Sequence, residues 1–310
     1  MTTLGNLQCV FMNTYLRNPY LVMTTVCIIW AGNAVAGKLA AGHVSPMLLT
    51  LLRWIFAVLL IAPFAWGDVR REWPILRRHL ALMFVFGGVG FTGFNALFYW
   101  ALNHTTAINV TIEQSAMPLM VFLGNLLLFH IRFTLLQVVG FLLTVVGVVL
   151  TVTHGHPQAL LQLDLNRGDA LMLIAVFMYG SYTLALRYKP ALHWRSTIFV
   201  LALSALITAI PFAAYEWTAG YGRWPDLQGW GVVLYIAIFP SLFAQSLYIR
   251  GVELIGPNRA NLFINLVPIF GSLLAVTLLG ESLEGFHMLA ILFVLSGLFL
   301  AERGAPKPIS

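Results

Sequence analysis

The sequence predicts an all-α integral membrane protein of ten transmembrane helices, built as two inverted five-helix repeats with both termini cytoplasmic. Three observations carry that prediction. Of 310 residues, 60% are hydrophobic and only 9% charged; a soluble domain carries about a quarter charged, so this chain has too few charges to cover a water-facing surface. Ten stretches are long and apolar enough to cross a bilayer, which takes about 20 residues each. Features of the first half also recur in the second half at a nearly constant offset.

The spans run over 20–39, 47–66, 80–101, 106–129, 133–153, 169–188, 197–216, 230–250, 258–279 and 284–301. The first lacks a small-residue cleavage site, so it reads as a span and not a signal peptide. The second and third are separated by REWPILRRH at 71–79, the strongest cytoplasmic marker in the chain. Connections are short except 154–168, where HGHPQ and NRGD supply polar turn residues. The expected organisation is therefore a cytoplasmic tail (1–19), a first repeat (20–153), an extracytoplasmic linker (154–168), a second repeat (169–301) and a second tail (302–310).

Lysine and arginine counts orient the spans. With the N-terminus inside, thirteen of the 17 basic residues fall on the cytoplasmic side. Only Lys38, Arg167 and Arg223 fall outside, and Arg53 lies within a span. The net charge of +6 thus reflects topology. The basic residues form no patch interleaved with aromatics, so a nucleic-acid partner is not expected.

The repeat shows in paired positions. Tyr179 lies 149 positions after Trp30, and Arg187 lies 149 after Lys38. Gln245, Pro268 and Gly297 each lie 150 after Asn95, Pro118 and Gly147. A nearly constant offset from the first span to the fifth is a repeat signature. Five is odd, so the second half enters the membrane from the opposite side, giving inverted repeats. Carriers that work by alternating access use that symmetry, because exchanging the conformations of the two halves converts an inward-open state into an outward-open one.

Polar residues recur at helical spacing on six spans. The candidate substrate-binding residues are Trp30 and Asn33; Asn95 and Tyr99; Asn109 and Glu113; Tyr179 and Tyr182; Gln245 and Tyr248; and Asn261 and Asn265. A single buried amide can equally serve as an interhelical hydrogen bond worth about 0.6–2 kcal/mol. As a set they occupy spans 1, 3, 4, 6, 8 and 9, while spans 5 and 10 carry no comparable face apart from Gln137 and His287 near their ends. Trp66, Trp73, Trp217 and Trp224 sit at span ends and read as interface anchors. Trp30, Tyr179 and Tyr182 are too deep for that role and suit apolar and cation–π contact with a substrate.

Two intramembrane charges stand out, well away from the span ends. Arg53 and Glu113 lie at similar depth, and a lone intramembrane charge costs about 2.5–3.5 kcal/mol or more, so an Arg53–Glu113 ion pair is expected. Glu113 has a second reading, as the partner of a substrate amine or as a proton relay. Leu203 and Phe263 occupy the corresponding positions of the second half, so the pair is not part of the repeat. Pro118 and Pro268 kink or weaken spans 4 and 9 and are hinge candidates.

No metal site and no cofactor is expected. His154 and His156 form a short HxH that reads as a solvated turn. Cys9 and Cys27 lie in no CxxC or metal-ligand spacing. A Walker loop is absent, which excludes an ATP-driven pump on this chain. An intramembrane enzyme would need clustered nucleophiles or carboxylates around Glu113, and a channel would show a repeated filter motif.

Two stretches carry a family resemblance: WAGNAVAGK at 30–38 and LVPIFGSLLAVTLLGE at 266–281. With them the chain resembles the EamA-type carriers of the drug/metabolite transporter superfamily over about 20–301. The first half keeps Pro118 but has Ile131 where Glu281 aligns. The resemblance implies a central cavity lined by spans 1, 3, 4, 6, 8 and 9, and transport of small metabolites. Amino-acid exporters of the YddG type are the nearest functional comparison, and drug export is the alternative. The expected partners are a small-molecule substrate and the lipid of a bacterial-type inner membrane; oligomeric state is left open, a monomer being compatible.

Overall fold

The structure, a computed structural model, describes residues 16–130, 134–156, 166–255 and 263–304. Every regular element among these residues is helical. Helix α1 spans Pro19–Ala40, capped by the Asn18 side chain, which accepts from the backbone of Tyr20 and Leu21. Helix α2 (Pro46–Phe86) continues through a π-helical segment (Gly87–Gly93) into α3 (Phe94–Ala101). Helices α4 (Ala107–Gln114), α5 (Met117–Phe129) and α6 (Leu135–Val152) complete the first half. In the second half α7 is Arg167–Ala185, α8 is Trp194–Thr218 and α9 is Leu227–Ile238. A π segment (Phe239–Phe243) then leads into α10 (Ala244–Ile255), followed by α11 (Val267–Leu274) with its own π extension and α12 (Gly285–Arg303).

Eight helical runs among the described residues are long and apolar enough to cross a membrane. The expected second and third spans fall in one run, Pro46–Ala101. That run is not straight. Arg53 and Asn95 are 42 positions apart, which a straight helix would convert to about 63 Å. Their side chains are 2.5 Å apart. The chain turns back between Asp68 and Gly87. Met47 and Asp68 meet Glu216 and His193 at opposite ends of α8, whereas Gly87 and Thr92 meet Leu201 and Ala205 in the same order as α8. The expected ninth span appears as the shorter run Val267–Leu279, part of its expected length lying outside the described residues.

The repeat is visible in the helix defects. Span 4 breaks at Ser115–Ala116 and the chain before α11 turns at Asn265–Leu266, 150 positions later. In each case a proline, Pro118 or Pro268, opens the following helix. Proline lacks an N–H and its ring excludes the carbonyl four residues back, so it fits a first turn and ends the helix before it. The π segments end at Gly93 and Phe243, again 150 apart. So do two capping boxes, Thr134 with Gln137 and Glu284 with His287.

Packing obeys the same pairing. A Cβ on Gly140 would strike the Gly297 carbonyl, and one on Gly147 would meet the Ala290 carbonyl at 2.7 Å. Adding 150 to one contact gives the other, and the crossed order makes α6 and α12 antiparallel. Likewise α3 packs on α7 as α10 packs on α1. The largest apolar core joins α1, α2, α3, α4, α6, α7, α9 and α12. Trp66, Trp73, Trp217 and Trp224 are each at least half exposed, as interface anchors require.

Candidate functional site

Arg53 organises the buried polar centre. Its Nη1 donates to Asn95 Oδ1 at 2.5 Å and to Tyr99 Oη at 2.6 Å, and its Nε donates to Ser241 Oγ at 2.7 Å. Tyr99 passes the chain on, donating to Asn33 Oδ1 at 2.9 Å. Four elements thus converge on one guanidinium: α1, α2, α3 and the second π segment.

The π segments explain how. Asn95 lies two residues past the first, and its Nδ2 donates to Phe91 O inside it, which turns Oδ1 toward Arg53. Ser241 lies inside the second and donates to Ile236 O, five residues back. An α-helix widened by one residue re-aims side chains and exposes carbonyls, and such bulges recur at functional sites. Here two copies of one defect meet at a residue without a counterpart in the second half.

The arrangement leaves the guanidinium charge uncompensated. Its hydrogen-bond partners are all neutral, and among the described residues no carboxylate lies within ion-pair distance of it. The ring of Trp54, 4.9 Å from Cζ, adds a cation–π contact.

Aromatic rings gather next to this centre. Trp30 packs on Tyr248 with centroids 5.3 Å apart. Tyr179 packs on Tyr182 at 5.4 Å and on Phe94 at 5.0 Å. Trp30 and Tyr179 are equivalent positions of the two repeats, and each packs against other aromatic rings. Gln245 and Asn265 are half-buried and join neither the polar network nor these pairs. Asn261 lies outside the described residues.

The expected Arg53–Glu113 ion pair does not form. Depth read from the sequence does not fix helix rotation, and the two side chains have different neighbours. Glu113 sits on α4 without exposed surface, and the charged group that acts on it electrostatically is Asp169, not Arg53. Asn109, one turn before Glu113, belongs to the same second cluster: its Nδ2 donates to Asp169 Oδ1 and Thr105 Oγ1, and its Oδ1 faces His287 Nε2 at 3.0 Å. A cavity of about 150 Å³ opens beside it, lined by Asn109, His154, Glu281, Glu284 and His287 among others.

Sequence reasoning gave no structural role to three acids, of which only Glu281 was singled out, as part of a family motif. Asp169 reads as part of a polar turn, yet it is fully buried in the first turn of α7. Gly168 permits this, since a Cβ there would lie 2.8 Å from the Ala101 carbonyl and from Thr105. Glu281 caps α4, accepting from Ala107 N at 2.8 Å and Ile108 N at 3.0 Å. Glu216 does the same for α2, accepting from Met47 N and Leu48 N. The signal available was an acid at a span end, which suits a neighbouring helix N-terminus. Lys38 closes α1 and donates from Nζ to the Leu102 and Thr105 carbonyls, satisfying the C-terminal end of α3. Among the described residues no group of three or more His, Cys, Asp or Glu is arranged to hold a metal.

Comparison with known proteins agrees with this architecture. The model of the EamA-like transporter family matches residues 17–153 and again 166–302. The chain is 23% identical to the uncharacterized transporter YyaM of Bacillus subtilis (strain 168), covering 92% of this chain and 93% of that protein. It is 25% identical to the uncharacterized inner membrane transporter YicL of Salmonella typhimurium, covering 92% and 95%. A solved crystal structure superposes with a TM-score of 0.61 at 20% identity, covering 91% of this chain and 96% of that one, which supports the fold. With two matched copies of the family unit and a multi-pass helical membrane fold, the chain belongs to the EamA-like transporter family: it is a transporter, not an enzyme.

Proposed function

We propose that this transporter is a ten-span secondary carrier of two inverted repeats, with both termini cytoplasmic, exporting small carboxylated metabolites across the inner membrane by alternating access. Amino acids are the favoured substrates. The observation that carries this reading is Arg53: a buried guanidinium whose hydrogen-bond partners, Asn95, Tyr99 and Ser241, are all neutral. A buried charge is expected to be paired. A substrate carboxylate supplies the missing partner, with the charge-assisted hydrogen bonds that guanidinium geometry favours.

Trp30, Tyr248, Tyr179 and Tyr182 then receive the rest of the substrate, and Asn33 orients Tyr99. The reversal of the helix defects between halves supports alternating access, since equivalent breaks precede Pro118 and Pro268. The lopsided Lys/Arg distribution supports cytoplasmic termini.

A second reading is export of apolar, drug-like compounds, which the aromatic pairs favour. Counterflow in proteoliposomes decides between them. A panel of labelled amino acids and their methyl esters is offered against unlabelled substrate inside. Trans-stimulation by free acids and not by esters is expected. Equal transport of both overturns the carboxylate reading, and absence of trans-stimulation overturns the carrier reading.

A further inference from the structure

Glu113 and Asp169 form an acidic pair that the carboxylate-binding reading leaves unused. Both side chains are fully buried. Among the described residues neither oxygen of Glu113 has a hydrogen-bond partner, and Asn109, one turn before it on α4, donates to Asp169, the acid that acts on Glu113 electrostatically. Two ionised carboxylates are acceptors only and repel each other in a dry site. A single proton removes both problems: the protonated carboxyl becomes the donor and the other carboxylate the acceptor.

The rest of the shell is built around Asp169. Its Oδ1 accepts from the Thr105 hydroxyl and from Asn109 Nδ2 at 3.4 Å. Its Oδ2 faces His154 Nε2 at 3.2 Å. His154 is the contact with water, its side chain 47% exposed where that of Asp169 is 0%. The left-handed backbone at His154 (φ 50°) and Gly155 (φ 78°) turns the chain at the end of α6, where this ring meets α7. Histidine changes charge near neutral pH, which suits it to deliver protons.

The other titratable groups around the pair are occupied. His287 on α12 accepts from Glu284 N through Nδ1, so its Nε2 carries the hydrogen and donates to Asn109 Oδ1. Glu281 is held by the α4 N-terminus, and Lys38 of α1 by the Leu102 and Thr105 carbonyls. Glu284 lines the adjoining cavity, and Arg167 on α7 is exposed. Among the described residues, His154 is the one basic side chain within ion-pair distance of Asp169.

We propose that Glu113 and Asp169 are a proton-binding site, loaded through His154 from the cavity side, that couples transport to the proton gradient. The proton on imidazolium Nε2 passes to Asp169 Oδ2, leaving neutral imidazole; the pair then shares it between Asp169 and Glu113. This rests on the carrier reading only for what the proton does, not for its binding.

Two measurements separate those questions. The first is infrared difference spectroscopy of the purified full-length protein in lipid, stepped between acidic and alkaline pH. A buried carboxylic-acid band is expected that disappears in both Glu113→Gln and Asp169→Asn. A band unchanged in both variants overturns the site. The second is efflux from proteoliposomes with and without an imposed pH gradient. The expected ratio is well above one for the native chain, about one for Glu113→Gln, and at least several-fold reduced for His154→Phe. A gradient ratio in Glu113→Gln equal to the native one overturns the coupling, as does replacement of the pH dependence by a sodium dependence. If no substrate is transported at all, the infrared result still decides the proton site.

Discussion

Arg53 Nη1 lies 2.6 Å from the Tyr99 hydroxyl, which in turn donates to Asn33 at 2.9 Å. The arrangement gives Tyr99 a fixed polarity: it accepts from a cation and donates to an amide. Replacing Arg53 with Met removes the charge and leaves Asn95 and Ser241 without their donor. A charge-assisted hydrogen bond is worth about 1.5–3 kcal/mol, so the apparent Kd for a carboxylate substrate is expected to rise about 10- to 100-fold. Arg53→Lys restores the charge without the planar fork and should recover only part of it. Competition counterflow measures both. Native affinity in Arg53→Met would remove the guanidinium from the substrate site.

Gly140 and Gly297 bring α6 and α12 within backbone contact, and Gly147 with Ala290 repeats the approach on the other side of the pseudo-twofold. In a bilayer, small residues at a crossing permit dispersion contacts that lipid does not replace. At Gly140 an added Cβ meets backbone on the facing helix, not a movable side-chain tip, so Gly140→Val has nowhere to relax. Overpacking of this kind costs about 1–3 kcal/mol. A lowered thermal midpoint in detergent is expected, and Gly231→Val, where a Cβ meets nothing within 4 Å, serves as the control. Equal midpoints for the two variants would show that the crossing tolerates separation.

Much of this architecture was legible because it rests on periodicity. The 150-residue offset between Pro118 and Pro268 anticipated two equivalent helix breaks, and the breaks lie immediately before them. Asn33, Asn95 and Tyr99 shared helical faces and do converge on one network. What periodicity does not carry is the rotation of one helix about its axis relative to the next. Arg53 and Glu113 matched in depth, yet rotation gives Arg53 to Asn95, Tyr99 and Ser241 and gives Glu113 to Asp169. Asp169 itself stood in a run of turn-forming residues, and its burial depends on Gly168 admitting Thr105, a long-range contact with no local trace.

Glu216 illustrates such a long-range contact at a helix end. Its carboxylate accepts from Met47 N at 3.1 Å and Leu48 N at 3.0 Å, satisfying two donors that have no partner inside α2. At the other end of the same helix pair, Glu72 Oε1 accepts from His193 N at 2.9 Å. The two helices therefore cap each other. Glu216→Ala leaves one buried and one half-buried donor unpaired and should cost about 1–3 kcal/mol. Glu216→Gln keeps one acceptor oxygen, loses the interaction with the helix dipole, and should cost less. Thermal unfolding of the purified variants tests the order; a Gln variant as damaged as the Ala variant would mean that charge, not hydrogen bonding, dominates the cap.

Pro118 and Pro268 open the helices that follow the breaks at Ser115–Ala116 and Asn265–Leu266. If these breaks are where each half bends during alternating access, restoring a backbone N–H changes the rate of interconversion more than the affinity of either state. Pro118→Ala provides the missing donor and relieves the clash with the carbonyl four residues back, which allows α4 and α5 to approach a continuous helix. The maximal counterflow rate is then expected to fall several-fold while the half-saturating substrate concentration stays within about twofold, because conformational exchange and not binding is slowed. Pro268→Ala should act in the same direction, since it occupies the equivalent position of the other repeat. Normal rates in both variants would mean that the breaks serve helix packing alone. A change in affinity without a change in rate would instead assign them to shaping the site.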